Sequence, residues 1–154
     1  MHAEQIVVKK KALEALASAN KNVAVGTTAM RTLESLYWFA VGLRNDGDAP
    51  FKVEQSTPCI SYPSLPDRHE AIEIILTYMT AKGIDQLVGE TSIYIYPGYK
   101  FRMCDGLITN FHQPGSTLLL LIAAFIGDWK KIYSNALQLD YRFLSYGDSS
   151  LLLP

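Results

Sequence analysis

The sequence has little cysteine, little histidine and no surplus of charge of either sign, and each shortage removes a class of function. Cys59 and Cys104 are the only cysteines. They stand far apart and outside any CxxC spacing, so neither a disulfide framework nor a zinc knuckle is written here, and a reducing compartment is the default. His2, His69 and His112 are the only histidines, and none has a second His or Cys at ligand spacing, which leaves a metal site unsupported. Lys plus Arg number 14 against 15 for Asp plus Glu. The resulting net charge of -1 supplies no global field for gripping nucleic acid. The longest apolar run, Leu118 to Ile126, falls short of the about 20 residues that cross a bilayer, so no membrane partner is expected. Lys9-Lys10-Lys11 precedes an apolar stretch, but Glu14 interrupts it and no small-residue cleavage pattern follows. That stretch reads as a helix of a cytoplasmic protein.

What is present is apolar mass: 49% of the 154 residues are hydrophobic, enough for the core of one ordinary domain. Ile6 to Val8 is a short β-branched stretch, and Lys10 to Asn20 carries Leu13, Leu16 and Ala17 at helical spacing. Val23-Ala24-Val25 predicts a strand running through Gly26-Thr27-Thr28 into a helix marked by Met30, Leu33, Tyr37 and Ala40. From Gly42 to Pro66 the chain turns rich in Gly, Pro, Asp and Ser, a surface excursion with one candidate strand at Phe51 to Val53. Asp67 and Glu70 form a capping box for a helix that stops at Gly83. Strands are predicted at Ser92 to Tyr96, Tyr99 to Met103 and Leu107 to Asn110. Two helices follow, Thr117 to Ile126 and one from Asp128 through Leu139, and a last strand at Tyr141 to Tyr146. There is no internal repeat. Buried strands mixed with helices argue for the α/β class, a layered sheet flanked by helices.

Several residues suit chemistry. Gly26-Thr27-Thr28 lies between a strand end and a helix start, where free N–H groups, two hydroxyls and the helix dipole favour an anion; a Thr N-cap after a tight turn is the competing reading. Arg31 and Glu34 follow at i and i+3, either a surface ion pair or, for Arg31, a clamp on a carboxylate or phosphate. Thr109-Asn110-Phe111-His112 comes after a buried strand, at the end where α/β sheets bind ligands. His112 can move a proton near neutrality, or hold a backbone carbonyl. Tyr96 and Tyr99 flank Pro97-Gly98 and either stack on a base or fill a core edge. Asp105 and Asp148 each neighbour a glycine, the simplest turn chemistry.

Four phrases, in order, resemble the S-adenosylmethionine:tRNA ribosyltransferase-isomerase family of queuosine biosynthesis. They are Met1-His2-Ala3-Glu4; Val25-Gly26-Thr27-Thr28-Ala29-Met30-Arg31-Thr32-Leu33-Glu34-Ser35; Ile95-Tyr96-Pro97-Gly98-Tyr99 leading into Leu107-Ile108-Thr109-Asn110-Phe111-His112; and Tyr141-Arg142-Phe143-Leu144-Ser145-Tyr146-Gly147-Asp148. The resemblance spans the chain apart from Trp38 to Gly89 and covers only the family's carboxyl-terminal part, so residues 1–154 are expected to be a partial α/β domain with an excursion at about 42–66. The first phrase falls mid-way along a full-length member, which implies a truncated reading frame or a cut segment. Gln113 and Gly115 depart from the family's common Leu and charged residue, a sign of a divergent branch.

The resemblance implies an enzyme that transfers and isomerises the ribosyl part of S-adenosylmethionine onto 7-aminomethyl-7-deazaguanine in the tRNA wobble position, giving epoxyqueuosine-tRNA, adenine and methionine. S-adenosylmethionine is then a substrate and no cofactor is needed; tRNA is the partner. Gly26, Thr27, Thr28 and Arg31 are assigned to a carboxylate or phosphate, His112 to proton transfer, and Tyr96 and Tyr99 to a base. The rival readings are a module that binds without turnover, which is what the isolated 154 residues are expected to be, and, more distantly, a methyltransferase-like nucleotide binder, whose glycine-rich fingerprint is absent. An unpaired Ile6 to Val8 edge and the apolar Leu151-Leu152-Leu153 imply self-association.

Overall fold

A computed structural model describes residues 3–154, so Met1 and His2 of the first family phrase lie outside the described residues. Eleven strands and α-helices follow one another among the described residues, with one 3-10 turn (Thr57–Cys59) before α3: β1 (Glu4–Lys9), α1 (Lys10–Ser18), β2 (Val23–Val25), α2 (Thr27–Asp46), β3 (Lys52–Val53), α3 (Arg68–Lys82), β4 (Gln86–Thr91), β5 (Gly106–Asn110), α4 (Thr117–Phe125), α5 (Trp129–Gln138) and β6 (Ser149–Leu152). This is the α/β class, with the strands divided into two three-stranded sheets of order β1-β4-β3 and β2-β5-β6. β1 runs antiparallel to β4 and β3 parallel to it, while β2 runs parallel to β5 and β6 antiparallel.

α2 joins the two sheets, because it packs on β2 and β5 of one and on β3 and β4 of the other. Leu36, Tyr37, Trp38, Phe39, Ala40 and Val41 are all buried, a run with no solvent face, as befits the middle of a helix packed on two sheets. α3 covers α2 and also touches α1. Its start keeps one half of the capping box expected from sequence, Asp67 Oδ1 accepting from the Glu70 N–H at 2.9 Å while the Glu70 carboxylate turns to Arg44, and its end is Gly83 in the left-handed region at φ 64°. The stretch 42–66 is less external than its composition suggests. α2 continues through Asp46, and Phe51 and Val53 enter the core beside β4.

Three of the strand expectations need correction. Ser92 to Tyr96 alternates in burial, with Ile93 and Ile95 inside, yet forms no ladder: neighbouring β3 ends at Val53, and only the Ser92 N–H reaches the Val53 carbonyl, at 2.8 Å. Tyr99 to Met103 is irregular because the N–H groups of Arg102, Met103 and Cys104 turn to the Glu34 carboxylate instead of a strand. Tyr141 to Tyr146 is a bent loop in which Leu144 takes φ 70° and the Arg142 N–H donates to Asp148 at 2.7 Å; the strand comes after it, at β6. β4, unannounced by its Gln, Gly and Glu content, exists through pairing with β1 along its whole length.

Close approach explains one glycine in β4. A Cβ on Gly89 would overlap the Phe51 ring and carbonyl, and that carbonyl accepts the neighbouring Glu90 N–H at 2.8 Å. Gly89→Ala is therefore expected to cost about 2 to 3 kcal/mol through forced displacement of Phe51. Urea denaturation checks this; an unchanged midpoint would show that the β3–β4 contact yields without strain.

Candidate functional site

The parallel pair β2–β5 ends at one place, and two of the expected motifs begin there. Val25 is in register with Ile108, and the Gly26 N–H donates to the Ile108 carbonyl at 2.8 Å. Gly26 leaves the strand at φ 90°, a conformation that side chains resist, and opens α2 directly with no side-chain cap. Gly26, Thr27 and Thr28 thus form the amino-terminal turn of a 20-residue helix, beside the residues that follow β5. The Thr N-cap reading fails: Gly26 occupies the cap and Thr27 is already helical.

His112 sits in that second loop, half-buried. Its Nε2 lies 3.0 Å from Thr109 Oγ1, and its backbone N–H donates to Tyr133 Oη at 3.0 Å. Neither contact is the backbone-carbonyl tie of the structural reading. Burial pushes the imidazole below its ordinary 6.5, favouring the uncharged ring. A cavity of about 280 Å3 opens on it, lined by Asn110, Gln113, Ser116, Leu144 and Ser145 among others. Asn110 and Ser145 come from two of the family-like phrases, which meet here. Asn110 Nδ2 donates to the Gly147 carbonyl at 3.2 Å, the Leu144 N–H donates to the Phe111 carbonyl at 2.9 Å, and Phe143 packs on Phe111 with ring centroids 5.2 Å apart. The positive φ of Leu144 at this cavity is the kind of backbone strain that collects at binding sites.

Arg31 and Glu34 correct the surface-pair expectation. Both are buried, at 2% and 0% exposure, and they do not pair with each other. Arg31 Nη1 donates to Glu4 at the start of β1, whereas Arg31 Nε and Nη2 have no partner among the described residues. Buried donors left without acceptors cost about 1 to 3 kcal/mol each.

Glu34 is a hub. Its Oε1 accepts from the N–H groups of Met103 at 2.9 Å and Cys104 at 3.2 Å, and its Oε2 from the Arg102 N–H at 3.0 Å and the Tyr99 hydroxyl at 2.7 Å. Burial pushes its carboxyl above the ordinary carboxylate value while these donors pull it down. Burial, with Glu34 alongside, also drives the Tyr99 phenol far above its ordinary range. The Tyr99 oxygen accepts from Trp38 Nε1 at 2.9 Å, so its hydroxyl is committed on both sides.

Tyr96 and Tyr99 flank the expected turn at Pro97-Gly98, where Gly98 takes φ 103° and the Tyr99 N–H returns to the Tyr96 carbonyl at 3.0 Å. They share a cavity of about 260 Å3 with Pro58 and Tyr94, and Tyr96 Oη lies 3.6 Å from Cys59 Sγ. An adjoining cavity of about 240 Å3 has Trp38, Tyr99, Lys100 and Arg102 in its wall. The cavity on His112 is lined neither by this tyrosine pair nor by Gly26, Thr27, Thr28 or Arg31; Gly26 meets the strand that leads to His112 through the Ile108 carbonyl, and Tyr99 reaches α2 through Glu34.

Asp105 does more than make a turn. It accepts from the Asn22 N–H at 2.8 Å and binds Arg68 through both oxygens at 2.7 and 2.8 Å, joining the entry to β2 with the start of α3. The Arg68 guanidinium holds its carboxyl below the usual range. Sequence reasoning missed this link, and also Glu4 and Ser145; only the family-like phrases containing those two pointed at them. Among the described residues no group of three or more His, Cys, Asp or Glu could hold a metal ion, and no helix is long and apolar enough to cross a membrane.

Comparison with known proteins adds to this geometry. A family model described as "Queuosine biosynthesis protein" matches residues 1–152, running through the stretch 38–89 that carried no resemblance by motif. An S-adenosylmethionine:tRNA ribosyltransferase-isomerase from Legionella pneumophila (strain Corby) is 38% identical over 159 aligned residues, covering 99% of this chain and 35% of that protein. One from Ruegeria pomeroyi is 59% identical over 68 residues, covering 43% of this chain. The crystal structure of an S-adenosylmethionine tRNA ribosyltransferase from Thermotoga maritima matches with a TM-score of 0.64 at 31% identity, over 97% of this chain and 40% of that one. The chain spans about a third of the length of relatives such as the Legionella protein, 35%.

Proposed function

The chain belongs to the queuosine biosynthesis protein family, and from that premise we propose that it forms part of an enzyme that moves and isomerises the ribosyl group of S-adenosylmethionine onto 7-aminomethyl-7-deazaguanine in tRNA. One observation carries the reading: a half-buried histidine and an uncapped helix start stand at the carboxyl end of two parallel strands, where α/β sheets bind their ligands. The reaction needs a base near the carbon acidified by the sulfonium, an acid for departing adenine, and a clamp on the methionine carboxylate. His112 serves the proton transfer. The α2 start and Arg31 serve the anionic end of the substrate, and the Tyr96–Tyr99 turn, with its aromatic cavity, serves a base.

The test incubates the protein with S-adenosylmethionine and tRNA bearing the deazaguanine precursor and follows free adenine by chromatography. Adenine release dependent on that tRNA supports the proposal; methyl transfer without adenine overturns it. Binding of both substrates with neither product would favour the second reading, a module that binds without turnover. That reading draws on the chain's coverage of only 35% of its Legionella relative, since reacting groups tolerate little misplacement.

We also propose self-association. β1 has one outer edge unpaired among the described residues, Val7 and Val88 face each other across β1 and β4 at 54% and 55% exposure, and Leu151 and Leu153 are exposed on and beside β6. Apolar surface next to open strand edges is usually covered by another chain. Light scattering at micromolar concentration is expected to show a dimer or larger species, and a clean monomer would refute this.

A further inference from the structure

Arg31 carries an oxyanion-binding edge that the rest of the described chain does not use. Its guanidinium is enclosed, Nη1 is spent on Glu4, and Nε and Nη2 meet no acceptor among the described residues. Those two nitrogens are not an arbitrary pair. Nε–H and one Nη2–H project side by side from the planar group, the fork that fits two oxygens at once.

The fork is also held in place. Glu4 lies opposite Thr91 in the β1–β4 ladder, Thr91 Oγ1 is 2.7 Å from Ser35 Oγ, and Ser35 Oγ donates to the Arg31 carbonyl at 2.7 Å. One small network therefore ties both ends of the arginine to both strands. Arg31 stands one turn along α2 from Thr27, where the helix dipole also favours negative charge.

We propose that Arg31 binds a substrate carboxylate through its Nε–Nη2 edge and that Glu4, by holding Nη1, is the positioning residue that presents that edge. A carboxylate suits the site better than a phosphate. Glu4 already offsets the single cation, and a doubly charged group would gather three negative charges around one guanidinium out of water. The inference rests on the reading above only for the source of the carboxylate, the methionine end of S-adenosylmethionine.

The experiment follows the Arg31 Nε–H resonance of the chain by nitrogen-15 NMR, assigned by its loss in Arg31→Lys, during titration with L-methionine, L-methioninamide or inorganic phosphate. L-methionine is expected to move the resonance at a concentration about tenfold below that at which the amide does. Glu4→Ala should weaken the methionine response about fivefold, whereas Glu4→Gln, which keeps the acceptor for Nη1 and removes the competing charge, should respond at least as well as the native chain. A purely structural Glu4 would not divide the two variants in this way. No response to L-methionine, an equal response to the amide, a stronger response to phosphate, or equal weakening in both variants would overturn the proposal. A failure of the enzymatic reading looks different: adenine is not released, yet the Nε–H resonance still answers to the carboxylate.

Discussion

Glu34→Ala is expected to destabilise the fold by about 3 to 5 kcal/mol, the loss typical of breaking a buried charged network. The substitution strips the acceptor from three backbone N–H groups, at Arg102, Met103 and Cys104, and from the Tyr99 hydroxyl. No ladder stands ready to take those donors, since the segment 92–105 is not paired as a strand. The removal of a carboxylate that is costly to bury offsets part of the loss. Glu34→Gln keeps the shape but aims an amide N–H at some of the same donors, so it should fall between Ala and the native residue. Chemical denaturation of the three proteins measures the order, and an Ala variant within about 1 kcal/mol of native would mean that water replaces the carboxylate readily.

The pH dependence of that difference has a definite sign. Burial raises the folded-state pKa of Glu34 above its ordinary 4.5. The native state therefore holds the proton more tightly than the unfolded chain, and the stability gained from protonation is complete below about 4.5 and lost as pH rises through the folded value. Glu34→Gln has no proton to lose at this position. Its stability relative to the native chain should improve as pH rises through that window, and a constant difference would show that the donors fully cancel the effect of burial.

His112→Ala, in the active enzyme, should lower adenine release about 100-fold or more if the ring transfers a proton. Its cost in stability should be small, about 1 kcal/mol, because the side chain makes one hydrogen bond, to Thr109, and is only half-buried. A large fall in melting temperature with unchanged turnover per folded molecule would make His112 a structural residue. The pH profile separates the cases further. Burial lowers the folded-state pKa, so the neutral ring stabilises the fold above about 6.5 and that contribution is lost as pH falls through the folded value. A rate that depends on neutral His112 should fall across the same range, and the variant should lose that acid limb.

Local chemistry was legible in the sequence wherever a residue and its partner are close along the chain. The Asp67 cap on Glu70, the stop at Gly83, the Pro97-Gly98 turn and the strand–Gly26–helix passage all depend on backbone groups within a few residues, and all appear in the structure. Two of the three strand errors share one cause. Alternation at Ser92 to Tyr96 and Tyr99 to Met103 reports which side chains go inside, and it does so correctly at Ile93, Ile95 and Met103. Whether the backbone also pairs depends on what lies alongside, which is a carboxylate for one segment and the end of β3 for the other.

The candidate site divides along the same line. The strand-to-helix glycine and the post-strand histidine are sequence features, and the resemblance gathered them before any coordinate did. Only the tertiary structure decided that Arg31 and Glu34, neighbours on one helix, would be buried and given separate partners: Glu4, 27 residues earlier, and the backbone 68 to 70 residues later. Spacing along a helix shows which side chains can meet each other, but an ion's burial and its partners are set by the elements that pack over it. Here β1 supplies a carboxylate to Arg31, and the irregular segment after Tyr99 supplies N–H donors to Glu34, because α2 lies between two sheets that bury both of these positions.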